Sequence, residues 1–271
     1  MKHPNISAYD GVEQLSSFTE KQFEQYCEKK LADCERQVSF VRDFININTF
    51  QGNVIEVGSG NGKLLYALES NGLVKCGTGY ELSNSRVEFS EKLSNYISSK
   101  KVTTICGDFL DSNVELESVD LIIGVDIVLQ LLAPITDDSE TKFFQKVFSS
   151  LKSGGVLILE LLDCTSMIKM CELSEGKHNL WKEFSEEDPW QFGLDQLEII
   201  NNDVIWKKRF ISRDRNIPDS FFINVVRHYT FEMVKDKLEM MGFNKKNIKK
   251  HYFWKENGDI PKDEFIITAI K

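Results

Sequence analysis

The sequence predicts one α/β domain built on a mostly parallel sheet, with additions at the amino terminus and after the fifth strand. Between Val54 and Leu162, short apolar segments alternate with helix-like segments, which is typical of βαβ units. A glycine-rich loop lies directly between the first strand and the next helix, where open α/β sheets bind ligands. Two apolar segments near the end flank Asn257-Gly258-Asp259, which predicts a closing antiparallel pair.

Composition limits the function classes. The chain has 271 residues, of which 41% are hydrophobic and 28% charged, so it can bury a sizeable core. A net charge of −9 offers no general attraction to nucleic acid or to an anionic membrane, and we expect neither partner. Six cysteines without a CxxC pair predict reduced thiols in a cytoplasmic protein, with no metal site. The start lacks an apolar stretch, so no secretory signal is predicted.

Residues 1–50 are predicted to form an amino-terminal helical lid. Thr19 and Gln22 have the spacing of a capping box, and apolar residues then follow helical periodicity to Ile45. Residues 51–163 and 230–271 are expected to form the core. Its predicted strands span 54–57, 75–82, 102–106, 121–125, 156–162, 248–254 and 264–270. Ser83 and Thr230 are predicted to cap two of the core helices.

Residues 164–229 interrupt this alternation and are predicted to be a substrate cap. Strands are expected over 197–211 and 221–228, after an amphipathic region around 180–190. Glu183, Glu186, Glu187 and Asp188 make this insertion acidic, which favours a small neutral or cationic substrate over a polyanion.

The sharpest motif is the loop Glu56-Val57-Gly58-Ser59-Gly60-Asn61-Gly62. Lys63 stands where a dinucleotide loop needs its third glycine, and Leu64 stands where a Walker A loop needs a hydroxyl. A carboxylate at Glu56 would repel a pyrophosphate but would suit a ligand with an ammonium or sulfonium charge. A turn that only connects strand to helix is the alternative interpretation of this loop.

Two acids follow at the ends of the next strands. Glu81 lies 23 residues after Gly58, a position suited to binding ribose hydroxyls. Asp108 can accept a hydrogen bond from an exocyclic amine, and Phe109 can form an apolar wall for a purine. Taken singly, Glu81 could instead be a solvent-facing carboxylate at the strand end, and Asp108 and Phe109 could be a turn aspartate followed by a core phenylalanine.

These motifs together resemble the class I S-adenosylmethionine-dependent methyltransferases, in particular their small-molecule branch. Val119 to Asp126 is similar to the family's fourth-strand motif, and Leu151-Lys152-Ser153-Gly154-Gly155 to the turn before its fifth strand. The resemblance implies a Rossmann-like seven-stranded sheet with an antiparallel last strand, and S-adenosyl-L-methionine as cofactor. The cofactor residues that it implies are Glu56, Gly58, Ser59, Gly60, Gly62, Glu81, Leu82, Asp108, Phe109 and Asp126. Arg36 is a further candidate, for the cofactor carboxylate.

The methyl acceptor is less well defined by sequence. The segment after the fourth strand, Asp126-Ile127-Val128-Leu129, lacks the Asn/Asp-Pro-Pro-Tyr motif of enzymes that methylate adenine or glutamine amides. His228 is the candidate base. Acceptor-binding candidates are Tyr9, Tyr26, Trp181, Trp190, Trp206, Arg209 and Tyr229. The leading hypothesis is N- or O-methylation of a small molecule. The alternatives are a protein or tRNA methyltransferase, a nicotinamide-dependent oxidoreductase, or a non-catalytic binding protein.

Overall fold

The structure, a computed structural model, describes residues 3–44, 52–184, 186, 190–215, 218–252 and 263–271. These residues form eleven strands and nine α-helices. The strands are β1 Gly52–Val57, β2 Val74–Glu81, β3 Val102–Cys106, β4 Val119–Gly124, β5 Leu151–Leu162, β6 Lys177–Glu183, β7 Trp190–Ile200, β8 Asp203–Ser212, β9 Ser220–Arg227, β10 Ile248–Tyr252 and β11 Glu264–Ile270. The helices are α1 Pro4–Ser7, α2 Glu20–Ala32, α3 Glu35–Phe44, α4 Lys63–Ser70, α5 Asn84–Ile97, α6 Val128–Leu132, α7 Ser139–Ser150, α8 Thr165–Leu173 and α9 Phe231–Met241.

Seven strands form the main sheet in the order β10-β11-β5-β4-β1-β2-β3. The strands β1 to β5 pair in parallel, whereas β11 runs antiparallel to both β5 and β10. This topology confirms the predicted fold class, including the antiparallel last strand. The turn predicted at Asn257-Gly258-Asp259 lies outside the described residues.

Two apolar layers cover the main sheet. One joins the sheet to α2, α3, α4 and α5 through residues such as Phe23, Leu65 and Phe89. The other joins the opposite face to α6, α7 and α9 through residues such as Phe143 and Leu238. Both faces are therefore buried, as the continuous apolar strands require.

The helix caps show where local sequence signals hold. Thr19 and Gln22 form the predicted capping box, with Gln22 Oε1 accepting from the Thr19 backbone N–H at 2.9 Å. Thr230 caps α9 by accepting from the Met233 N–H at 3.3 Å. Ser83 precedes α5 as predicted, but its hydroxyl does not cap the helix; it donates to the Tyr9 carbonyl at 2.9 Å. The helix expected to about Asn46 is divided between α2 and α3, and residues 45 and 46 lie outside the described part.

The insertion forms a second, antiparallel sheet in the order β6-β7-β8-β9, with α8 leading into it. The single strand predicted over 197–211 is wrong, because the chain reverses there. Ile200 pairs with Asp203 across a two-residue turn, in which Asn201 has a left-handed φ of 51°. Asparagine tolerates that conformation, so its presence at this position is a sequence signal for a hairpin turn.

Gln130 on α6 joins the two ends of this insertion. Its side-chain amide donates to the Leu162 carbonyl at 2.9 Å and to the Arg227 carbonyl at 2.8 Å. Its oxygen accepts from the Leu162 N–H at 2.6 Å. The point where the chain leaves the main sheet is thus fixed to the point where β9 ends.

The first residues cross from the second sheet to the core. We call residues 3–14 the amino-terminal strap. The Asn5 side chain donates to Leu131 of α6 at 2.6 Å and exchanges two hydrogen bonds with the Val225 backbone on the edge of β9. The strap therefore lies against both α6 and β9. Among the described residues, no helix has the length and apolar character needed to traverse a bilayer.

Candidate active site

A cavity of about 310 Å³ opens at the carboxyl ends of β1, β2, β3 and β4. Its wall combines strand-end residues with residues of the strap and α6. Of the residues singled out from sequence, it brings together Tyr9, Gly58, Glu81, Leu82, Asp108, Phe109 and Asp126. The carboxyl ends of parallel strands are the usual ligand crevice of such a sheet.

The glycine loop is held against β2 by backbone hydrogen bonds. The N–H groups of Gly58 and Ser59 both donate to the Tyr80 carbonyl, at 2.9 and 3.0 Å. Gly58 has a φ of +66°, and a Cβ there would lie 2.4 Å from the Val128 side chain. Glycine is therefore required at Gly58 both by backbone conformation and by the close approach of α6.

Glu81 is the best-fixed acid in the cavity. Its Oε2 accepts from the Gly60 N–H at 2.8 Å, and its Oε1 accepts from the Ser83 N–H at 2.9 Å. The residue is only 7% exposed. A carboxylate has about four acceptor sites, so two remain for donors on a ligand.

The turn after β3 supplies a second acid and an apolar wall. Asp108 Oδ1 accepts from the Leu110 N–H at 2.8 Å. Phe109 is buried against Tyr80, with ring centroids 5.6 Å apart. Lys146 of α7 holds this turn in place by donating to the carbonyls of Leu110, at 2.9 Å, and Ser112.

Glu56 lies in β1, two residues before Gly58; it is 2% exposed and is not among the residues that line the cavity. Burial raises the pKa of its carboxyl to about 8. Among the nearby charges, the Lys63 ammonium lowers this pKa, whereas the carboxylates of Asp126 and Glu81 raise it. Its Oε2 has no hydrogen-bond partner among the described residues. A buried acid with an unpaired oxygen fits a cationic group on a ligand.

The segment after β4 is strained. Asp126 and Ile127 both have left-handed φ values, of 52° and 57°, although neither is glycine. Such a conformation is unfavourable for a β-branched residue and is concentrated at functional sites in proteins. Here it places the exposed Asp126 at the rim of the cavity.

Sequence reasoning missed two charged residues. Arg86 of α5 lines the cavity, and its Nε donates to Glu13 Oε2 at 3.2 Å. Burial alone would lower the pKa of Arg86, but the carboxylates of Glu81 and Glu13 outweigh it and raise that pKa. No motif marks this pair, because its members lie 73 residues apart in the chain.

Several predicted residues lie elsewhere. Arg36 is exposed on α3 and does not line the cavity. Ser59 is buried against Gly79, and Gly62 is the residue preceding α4. Tyr26 lies behind the strap, where its hydroxyl donates to Glu13 Oε1 at 2.7 Å.

His228 and Tyr229 are not brought to the cavity. His228 lies in a separate depression of about 290 Å³ that also contains Glu140, Asp203 and Lys237. Tyr229 is buried in the core, and its hydroxyl donates to Glu140. The expected base therefore has no contact with the strand-end residues, because β9 ends at Arg227 and the chain turns there toward α9.

The predicted acceptor residues of the second sheet are also distributed over its surface. Trp181 on β6 is 62% exposed. Trp206 on β8 is half-buried beneath the Lys208 ammonium, and Arg209 forms an ion pair with Asp219 at 2.8 Å. Trp190 lines a groove beside the outer side of the strap. Of the seven acceptor candidates, only Tyr9 lines the cavity.

A comparison of the sequence with models of known protein families shows which family the chain matches. A family model described as "Methyltransferase domain" matches residues 49–210, which is more than half of the chain. The chain belongs to this methyltransferase family. Membership implies S-adenosylmethionine as the cofactor. In the described part, no group of three or more His, Cys, Asp or Glu side chains is placed to hold a metal ion.

The individual proteins reported below share little sequence with this chain. A carboxy-S-adenosyl-L-methionine synthase from Shewanella piezotolerans is 27% identical over 163 residues, which are 60% of this chain and 55% of the relative. The match thus spans little more than half of that protein's length.

Among solved structures, an S-adenosylmethionine-dependent methyltransferase from Clostridium acetobutylicum superposes with a TM-score of 0.68. It is 19% identical, and the alignment covers 89% of this chain and 91% of that one. The CcbJ methyltransferase from Streptomyces caelestis superposes with a TM-score of 0.67 at 14% identity, covering 88% of both chains. At these identities the superpositions show a shared fold.

Proposed function

We propose that this chain transfers the methyl group of S-adenosylmethionine to a nitrogen or oxygen atom of a small-molecule acceptor. The observation that carries the proposal is the Glu81 carboxylate, fixed by the N–H groups of Gly60 and Ser83 at the end of β2. An acid held in this way can accept both hydroxyls of a ribose. Asp108 and Phe109 line the same cavity and would hold the amino group and the face of an adenine.

Glu56 supports this donor over a nicotinamide dinucleotide. Its buried Oε2 lacks a partner among the described residues, so it would pair with the ammonium group of the donor. The positive charge of that ammonium would favour the ionised form of Glu56, whereas a pyrophosphate would meet the Glu81 carboxylate with no such gain.

When bound, S-adenosylmethionine supplies a methyl group on a sulfonium sulfur that leaves as a neutral thioether. The chain's main task is then alignment, which can contribute about 7–11 kcal/mol to lowering a barrier. Ile6, Leu131, Leu132 and Ile135 line the same cavity and would exclude water from it.

A base is required only if the acceptor begins protonated. The carboxylates among the described cavity-lining residues are Glu81, Asp108 and Asp126. With the first two assigned to the nucleoside, Asp126 is the candidate to take a proton. Its exposure would let it pass that proton to water.

The size of the cavity and its partial cover also favour a small acceptor. It measures about 310 Å³ and is partly covered by the strap, which leaves little access for a folded macromolecule. The net charge of −9 weakens the tRNA alternative further.

Calorimetry with S-adenosylmethionine, S-adenosylhomocysteine and NAD tests the donor. We expect micromolar binding of the first two and none of NAD. Binding of NAD alone would favour the oxidoreductase, and binding of none would favour a non-catalytic protein. A screen of cell metabolites with labelled methyl donor, followed by isolation of the labelled product, then tests the acceptor class. Label found only in protein or tRNA would refute a small acceptor.

A further inference from the structure

Arg86 lies between two carboxylates that compete for its guanidinium. Its Nε is 3.2 Å from Glu13 Oε2, whereas its Nη1 is 3.8 Å from Glu81 Oε2. The contact with Glu13 is a hydrogen-bonded ion pair, and the contact with Glu81 is longer than a hydrogen bond. Arg86 is thus drawn toward the strap and away from the acid at the end of β2.

Glu13 is held in place by three separate elements. Its Oε1 accepts from the Tyr26 hydroxyl of α2 at 2.7 Å and from the Asn61 amide of the glycine loop at 2.8 Å, while Oε2 accepts from Arg86 of α5. Its side chain is 7% exposed. Its backbone has a left-handed φ of 59°, a cost that persists only where the surroundings fix the residue.

The remainder of the strap supports this placement. The Ser83 hydroxyl donates to Tyr9 O at 2.9 Å, and the Ser85 hydroxyl donates to Val12 O at 2.8 Å. The Tyr9 ring lies 5.4 Å from the Arg86 guanidinium. The strap and Arg86 therefore form one unit directly beside Glu81.

We infer that Glu13 is a positioning residue that keeps Arg86 off Glu81 and so leaves the Glu81 carboxylate available to the donor's ribose. The inference rests on the proposed function for the identity of that donor. Without the Glu13 charge, the partly buried guanidinium has one carboxylate of the described residues left within reach, that of Glu81. It would close the 3.8 Å gap and occupy the acceptor sites that the two ribose hydroxyls need.

A double-mutant cycle tests this role. Glu13→Gln keeps the size of the side chain and removes its charge. We expect it to raise the Kd for S-adenosylmethionine and for S-adenosylhomocysteine tenfold or more. The reason is that the ribose hydroxyls lose their hydrogen bonds to the Glu81 carboxylate once Arg86 occupies it. Arg86→Gln should raise either Kd less than Glu13→Gln does, because it removes the competing guanidinium itself. The double variant should return to within threefold of Arg86→Gln alone, because the competing guanidinium is gone.

The control is Glu20→Gln. Glu20 forms an ion pair at 2.9 Å with Lys92, which is on the same helix as Arg86. Because this pair lies outside the cavity, the Glu20→Gln variant should leave both Kd values unchanged. A purely structural role for Glu13 predicts that the double variant binds as weakly as Glu13→Gln or more weakly. That result, or a Glu13→Gln variant with unchanged Kd, would overturn the inference.

A second measurement needs no donor. In the ligand-free protein, the amide N–H groups of Gly60 and Ser83 both donate to Glu81 and report on its carboxylate. Their NMR resonances should shift in Glu13→Gln and return toward wild-type positions in the double variant. Unchanged resonances would contradict the inference, even in a protein that binds no S-adenosylmethionine. If the resonances shift as expected but S-adenosylmethionine does not bind, only the proposed donor is overturned.

Discussion

Gly124 at the end of β4 and Val128 at the start of α6 are in direct contact. A Cβ on Gly124 would lie 2.7 Å from the Val128 Cγ1 and 3.1 Å from the Leu159 side chain. The same Val128 would meet a Cβ on Gly58 at 2.4 Å. One valine of α6 thus occupies the space that two glycines leave free, which fixes α6 against the ends of β1 and β4.

Gly124→Ala should destabilise the protein by about 1–3 kcal/mol, because it overpacks a rigid contact. Val128→Ala should recover part of this loss when combined with it, since the clash is steric and Gly124 has no left-handed φ. Urea denaturation of the two single variants and the double variant measures the coupling. Additive losses would show that the glycine is required for another reason.

Glu81→Gln should raise the Kd for S-adenosylmethionine at least tenfold while the protein stays folded. The amide keeps the size of the side chain but loses the charge, and one hydrogen bond to a charged group contributes about 1.5–3 kcal/mol. Calorimetry gives the Kd, and circular dichroism checks the fold. An unchanged Kd would remove Glu81 from the donor site.

Lys146→Met should raise the Kd for the donor several-fold, because the turn that carries Asp108 and Phe109 loses its two carbonyl contacts. Lys142→Met is the matched control. Lys142 is on the same helix but pairs with exposed Asp138 at 2.7 Å, and surface pairs contribute little. Equal effects of the two substitutions on the Kd would refute a role for Lys146 in positioning the turn.

The stability of the protein should depend on pH through Glu56. Its folded pKa of about 8 lies above its ordinary value of 4.5, so between these values the folded state binds a proton that the unfolded state has released. The free energy of unfolding should therefore fall as the pH rises from about 4.5 to about 8, by on the order of a few kcal/mol, and then level off. Urea titrations of wild type and Glu56→Gln across this range test it. The variant should lack this decline, and parallel profiles would refute the assignment.

Much of the fold and part of the site could be predicted from the sequence. The glycine loop, Glu81 and Asp108 are local signals, because each follows an apolar strand at a spacing that the sheet imposes. They also lie together in the structure, since parallel strands end at one edge. The closing antiparallel pair and the Thr19 cap could be predicted for the same local reason.

The remainder depends on contacts between distant segments. Glu13 meets Arg86 only because the strap crosses the cavity, and no periodicity encodes that path. Ser83 has the sequence of a helix cap, yet its hydroxyl binds the strap carbonyl of Tyr9. His228 is a candidate because of the residues next to it in the chain, but β9 ends one residue earlier. The chain then turns, and His228 lies in a depression separate from the cavity.

The hydrogen bonds of Gln130 have a consequence for which parts of the chain can change. Because one side chain ties the point where the chain leaves the main sheet, at Leu162, to the point where it returns, at Arg227, the spacing of these two junctions does not depend on the length of the segment between them. Changes of length or charge within that segment would therefore leave the edge at the carboxyl ends of β1 to β4 unaltered.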